Sequence, residues 1–236
     1  MEFEDDHQLE DTLPSFRLNG DPPALEEWRK IFLAQKPVKY PKKTILIRQG
    51  EHDGKIYYLI DGLVEYTYTD KTGAEKLMEI MGAGSVLNLQ PLFGGNAALG
   101  DFVTLEESKI ASIKKDDLYR HMENDKRLAE ELLEEMAKII SGLMRQIWIN
   151  AENTNRRTEQ VICLLAENRL RHNPGAKTLL LRFSQSDLAR ITRTTRVTIT
   201  KILRDLKQKG FVETAYGGIL IKDFEGLKKR VRNREP

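Results

Sequence analysis

One cysteine, four histidines and two tryptophans among 236 residues set the first limits. The lone cysteine, Cys163 in the apolar run VICLL, excludes an intrachain disulfide framework and a four-cysteine zinc or iron–sulfur site. It reads as a small buried hydrophobe. No apolar run approaches a membrane span, and the acidic start has none of the features of a secretory leader. The chain therefore reads as cytoplasmic, without membrane association. Histidine is also too sparse for metal chemistry in the centre of the chain. His52, in the turn GEHDGK, is the single histidine between residues 37 and 113. It reads as an exposed turn residue, not a ligand, and no cofactor is expected.

Excess charge is lacking only in the total. The formal net charge of +2 hides a polarity along the chain. Residues 1–27 carry nine acids and one base, Arg17; residues 190–236 carry thirteen bases and five acids, a local excess of eight. Such an asymmetry points to an acidic lead-in and to a segment that meets a polyanion.

Periodicity divides the rest. Residues 1–22 end in GDPP and read as a disordered acidic lead-in. PALEEWRKIFLAQ (23–35) has a helical spacing of Leu25, Trp28, Ile31 and Phe32. From Pro37 to about Ile113 come short alternating runs punctuated by glycines, with DKTGAE (70–75) as a hairpin turn. This pattern predicts an antiparallel, jelly-roll-like β-roll in an α+β chain. A long helix follows over about 125–151. Leu128, Leu132, Met136, Ile139, Leu143 and Ile147 step by three or four, and Leu133, Ile140, Met144 and Trp148 widen the stripe. An apolar face this wide needs two partners, the roll on one side and a second copy of the helix on the other, so a homodimer is expected. NTNRRTEQ (153–160) has no apolar residue and reads as a polar joint. The domains expected are a lead-in (1–22), a sensing roll (23–123), a dimerisation helix (124–152) and a C-terminal DNA-binding domain (153–236).

That last assignment rests on SQSDLARITRTTRVTITKIL (184–203). Ser184 stands three residues before Asp187, a capping-box start. A turn is predicted at Thr192–Thr194 and a second helix from about Thr195 to Gln208, with Val197, Ile199, Ile202, Leu203 and Leu206 available for the core. Arg196, Thr198, Thr200, Lys201 and Arg204 remain on the outer side. Threonines are mediocre helix formers, so a merely solvated face has no use for them; a major groove does. No acid occurs from 188 to 204. GFVETAYGGILIKD (210–223) then reads as strand, glycine turn and strand, a wing whose tip at Ala215–Gly218 meets DNA backbone. The residues expected on DNA are Ser184, Gln185, Arg193, Thr195, Arg196, Val197, Thr198, Thr200, Lys201 and Arg204.

The order of β-roll, long helix and winged helix-turn-helix, with IDGLVEYTYTDKTGAEKLMEIMGAGSVLNLQPLF (60–93) and TTRVTITKILRDL, resembles the CRP/FNR family of transcription regulators over roughly residues 25–225. The resemblance implies a cyclic-nucleotide-binding-domain type of roll, a homodimer, double-stranded DNA as partner, and RNA polymerase as a further partner of an activator. The departures matter as much. Where cyclic-AMP readers of the family carry a glutamate and an Arg-Ser pair, this chain has Asn88-Leu89-Gln90 and Ala98–Asp101, so no cyclic-nucleotide binding is expected. The amino-terminal cysteines of the oxygen-sensing branch are absent. Val197 replaces the family's usual glutamate, which is similar to the halophenol-responsive branch that controls reductive dehalogenation, and implies a more A·T-rich site. Arg193 stands where the family turn usually has glycine: either the turn differs locally or the arginine is kept for a phosphate. A small, apolar or aromatic effector is expected against Leu87, Asn88, Leu89, Gln90, Leu99, Gly100, Leu143, Met144 and Trp148. The competing readings are a regulator whose roll is only a scaffold and a cupin-like metal enzyme fused to a DNA-binding tail. The regulator, not the enzyme, is the expectation.

Overall fold

The computed structural model describes residues 15–17, 26–150, 153–172 and 179–232, the first three by backbone alone. They fall into two compact units that divide within one long helix, between Arg145 and Gln146.

The first unit opens with β1 (Ser15–Arg17) and α1 (Glu26–Leu33), followed by β2 (Val38–Tyr40), β3 (Ile45–Ile47), β4 (Lys55–Asp61), β5 (Leu63–Thr69), β6 (Glu75–Gly82) and β7 (Val86–Leu87). Then come the short helix α2 (Leu89–Gly94), β8 (Asp101–Thr104), β9 (Ser108–Lys114), α3 (Lys115–Asn124) and α4 (Lys126–Asn150). Two sheets form the roll, in the orders β1-β6-β5-β8-β3 and β2-β9-β4-β7. Every pairing is antiparallel except that of β1, which runs parallel to Glu79–Met81. The expectation of a lead-in disordered to residue 22 therefore fails at Ser15–Arg17, where the backbone finds hydrogen-bonding partners on the edge of β6.

Alternation along β4 builds two cores on one wall. Tyr57 and Leu59 face the interior of the roll with Ile47, Val64, Met81, Leu87, Phe102 and Ile110. Ile56 and Tyr58 face the helices, packing with Trp28, Phe32, Leu89, Leu118 and Leu128. The DKTGAE turn forms as expected: the Asp70 carboxylate accepts from the Thr72 and Ala74 amides at 2.8 and 3.0 Å. Helix α1 is held from a distance. The Glu131 carboxylate on α4 accepts from the N–H groups of Glu27 and Trp28 at 2.9 to 3.1 Å, doing the work of a cap, and Trp28 Nε1 donates to the Leu128 carbonyl at 2.7 Å. On α4, Leu128 is buried and Leu132 and Ile139 pack on the helix-side core, while Leu133, Met136, Ile140 and Met144 are exposed.

The second unit comprises α5 (Thr154–His172), β10 (Leu179–Leu181), α6 (Gln185–Ile191), α7 (Arg196–Gln208), β11 (Val212–Ala215), β12 (Gly218–Ile221) and α8 (Phe224–Arg232). Its sheet has the order β10-β12-β11. The expected polar joint at 153–160 is corrected: Thr154–Gln160 are the first two turns of α5. Two of their polar side chains, Thr158 and Glu159, are buried and hydrogen-bonded within the unit. Thr158 is fully buried and donates to the Thr154 carbonyl. Glu159, also buried, is forked by Arg230 of α8 at 2.8 and 2.9 Å. Gly218 is required where it stands, since a Cβ there would lie 2.2 Å from the Leu181 carbonyl of β10.

Candidate nucleic-acid interface

Helix α6 starts with a complete capping box. Ser184 Oγ accepts from the Asp187 amide at 3.0 Å, and the Asp187 carboxylate accepts from the Ser184 amide at 2.9 Å. It ends at Thr192 in a Schellman motif: the Thr194 amide donates to the Ala189 carbonyl and the Arg193 amide to the Arg190 carbonyl. That motif needs a left-handed residue after the cap, and Arg193 supplies it with φ +46°. The turn thus has the ordinary geometry, and the arginine bears a strain on the order of 1 kcal/mol that glycine would not.

Thr195 caps α7, its hydroxyl accepting from the Thr198 amide at 3.1 Å and lying 2.9 Å from the Thr198 hydroxyl. Ile199, Ile202, Leu203 and Leu206 are buried against the rest of the unit. Val197 is not: it is 65% exposed, which corrects its assignment to the core. At 100° per residue it lies on the ridge opposite the buried row, in line with Lys201 and Arg204, and all three are exposed. Arg196 and Thr195 are exposed beside it, and Thr198, Thr200, Gln185 and Arg193 are half-buried at its margins. The Thr200 hydroxyl joins the helices, 2.8 Å from Gln185 Oε1 and 2.9 Å from the Arg196 carbonyl. Nine of the ten expected residues therefore surround one outward face, with Ser184 exposed at the start of α6. The wing is formed as expected, and Tyr216 at its tip is fully exposed beside Gly217.

Of the nine residues expected to hold an effector, those whose side chains are described are not brought together. Leu87 lies inside the roll, whereas Leu89 faces the helices. Between them Asn88 has φ +68°, which reverses the chain and sends its neighbours to opposite sides of the wall. Asn88 is itself buried: Nδ2 donates to the Lys55 carbonyl at 2.7 Å, and Oδ1 meets no hydrogen-bond partner among the described residues. Gln90 and Leu99 point outward. Gly100 is buried where a Cβ would lie 2.2 Å from the Thr67 carbonyl. Met144 is exposed, and the side chains of Leu143 and Trp148 lie outside the described residues. Asp101 has a structural task, accepting from the Gln49 amide at 2.6 Å. Inside the roll Tyr66 packs on Phe102 with ring centroids 4.6 Å apart, and burial, then the nearby Glu79, pushes its hydroxyl up to about 12.

Residues 37–125 match the cyclic nucleotide-binding domain and residues 156–230 the Crp-like helix-turn-helix domain. The chain belongs to the CRP/FNR family. Over 199 residues it is 24% identical to the CRP-like cAMP-activated global transcriptional regulator of Mycobacterium tuberculosis strain H37Rv, covering 84% of this chain and 88% of that one. Its fold is that of FixK2 from Bradyrhizobium japonicum, with a TM-score of 0.68 at 15% identity over 86% of this chain and 98% of the other. OCPA-complexed CprK has a TM-score of 0.59 at 18% identity, over 85% and 93% of the two chains. As a CRP/FNR regulator the chain carries a DNA-binding helix-turn-helix, and its relatives act in transcription and not as enzymes. No helix among the described residues is long and apolar enough to cross a membrane.

Three features of this CRP/FNR chain escaped sequence reasoning: the Glu131 cap on α1, the Glu159–Arg230 pair, and a hydrogen bond from Arg157 on α5 to the Arg193 carbonyl at 3.4 Å. Each joins residues far apart in sequence. The sequence shows only an acid among polar neighbours in TEQ at 158–160, which does not reveal that Glu159 is buried.

Proposed function

We propose that the chain is a dimeric, ligand-responsive regulator that reads a palindromic, A·T-rich site through α7. The observation that carries this reading is the outer face of α7: an exposed valine in its first turn, beside Arg196 and in line with Lys201 and Arg204. Valine offers a methyl surface to thymine and cannot accept from cytosine N4; the cations take guanine edges or phosphate. The exposed stripe Leu133, Met136, Ile140 and Met144 on α4 supports pairing with a second copy, which sets two recognition helices about one DNA turn apart, ~34 Å. The effector is a small apolar or aromatic molecule and not a cyclic nucleotide, because Ala98–Asp101 offers no cation and Asp101 would face a cyclic phosphate. It acts by binding one arrangement of the regulator better than another; equal affinity for both would shift nothing.

Selection from a random duplex pool tests the DNA reading. A palindrome rich in A·T steps should emerge, with affinity falling steeply as salt rises. Arg196→Ala should relax preference at one position by about 1–3 kcal/mol. A variant that ranks all sites as wild type does would sink the assignment of α7. A second reading, in which the roll is only a scaffold, is favoured by the burial of Leu87 and Leu89 in core clusters. A thermal-shift screen against halogenated aromatics, nucleotides and fatty acids separates the two.

A further inference from the structure

The carbonyl of a left-handed residue at the end of a Schellman turn points away from the helix it terminates, and at Arg193 it meets a guanidinium. Arg157, in the first turn of α5, donates an Nη–H to it at 3.4 Å, and the Nε of the same group is buried. Arg157 is brought there by its helix, whose first turn is fixed on both sides. Asn153 Oδ1 accepts from the Arg156 amide at 3.0 Å, and Glu159 is locked to Arg230. The turn that receives the bond is rigid on the α6 side, where Thr192 is fully buried and its hydroxyl donates to the Leu188 carbonyl at 2.7 Å. The Arg193 carbonyl lies two residues before the Thr195 cap that starts α7. Whatever fixes that carbonyl fixes the angle at which α7 leaves the turn.

We infer that Arg157 is a positioning residue for DNA recognition, acting through the strained Arg193 turn to set the departure of α7. The inference rests on the DNA reading of α7 proposed above. Arginine in a left-handed turn prefers to relax toward negative φ. Such a relaxation would swing the Arg193 side chain and tilt the N-terminal turn of α7, which carries Arg196 and Val197. A charged donor on the carbonyl holds the turn in the conformation that presents both. With glycine at 193, the family's usual residue, the turn would need no such hold.

A double-mutant cycle tests this. Arg157→Met keeps the stem and removes the donors; it is measured with and without Arg193→Gly, for affinity to the duplex selected by wild type and for thermal midpoint. In the wild-type background Arg157→Met should weaken DNA binding about tenfold, and in the Arg193→Gly background by less than about twofold. Arg157→Lys, which keeps a donor, should recover most of the loss. A merely structural Arg157 would lower affinity and midpoint together by the same amounts in both backgrounds. That result, or no loss of affinity in either, overturns the inference. Should Arg157→Met fail to fold, Arg157→Gln carries the same comparison. A wild-type chain that ignores duplex DNA at low salt sinks the DNA reading itself, which is a different result from an uncoupled cycle.

Discussion

If α4 pairs with a second copy as proposed, a single carboxylate at Ile140 should take that pair apart. Leu133, Met136, Ile140 and Met144 are 70%, 40%, 56% and 61% exposed, so a little over two whole side chains of apolar surface per protomer await a cover. At about 1.5–3 kcal/mol for each fully buried side chain, a symmetric seam gains roughly 7–13 kcal/mol gross. Association costs on the order of 4–15 kcal/mol, so the margin is thin and every position counts. Ile140→Glu forfeits about 1 kcal/mol or more of burial on each protomer and places two like charges in the seam, each costing several kcal/mol to desolvate unpaired. A loss of at least ~5 kcal/mol weakens dimerisation by more than about a thousandfold. Sedimentation equilibrium at micromolar protein should then show a monomer, and affinity for a palindromic duplex should fall to that of a half-site. Ser141→Glu, one residue along and about 100° round the helix, adds the same charge off the stripe and should leave the dimer intact. A dimeric Ile140→Glu protein would refute the reasoning and move the seam elsewhere.

Val197→Glu should shift the preferred base opposite the first turn of α7 from thymine toward cytosine, by about 1–3 kcal/mol, read by repeating the duplex selection. Glu159→Gln removes the buried carboxylate that Arg230 forks and leaves it only Asp205 at 3.6 Å; a loss of about 2–3 kcal/mol should lower the midpoint of the winged-helix unit by roughly 10–20 °C in calorimetry, and a shift of a few degrees would show the pair to be unimportant. Cys163 is buried, which pushes its thiol up to about 12, with Glu167 and Glu159 adding to the shift. Because the folded thiol holds its proton more tightly than the unfolded one, this group's contribution to stability is lost as pH rises from about 9 toward 12. Cys163→Ala should therefore flatten the alkaline fall in stability, and native protein should resist iodoacetamide until unfolded.

The winged helix was legible because its signals are local. Ser184 and Asp187 are three residues apart, Thr195 and Thr198 likewise, and a glycine marks the wing turn. The roll was legible from alternation in KIYYLID and its neighbours. What sequence could not show depends on distance. Residues 153–160 lack apolar side chains, yet Thr154–Gln160 are helical, and Glu159 there pairs with Arg230 seventy-one residues on. The strand at Ser15–Arg17 exists through β6, and the α1 cap through Glu131. Leu87 and Leu89 read as one wall of a pocket, but the left-handed Asn88 between them parts them. Val197 was ambiguous by spacing alone, and only the packing of Ile199 and Ile202 shows which way it turns.

The strand β4 has a further consequence. Its successive residues belong alternately to the inside of the barrel and to the bed on which α1, α3 and the start of α4 rest. A guest that spread the barrel by a fraction of an ångström would push on Tyr57 and Leu59, and the same peptide plane would carry that push to Ile56 and Tyr58. The inside of the roll and the bed of the helices are thus two sides of one partition, with no relay of intervening residues between them.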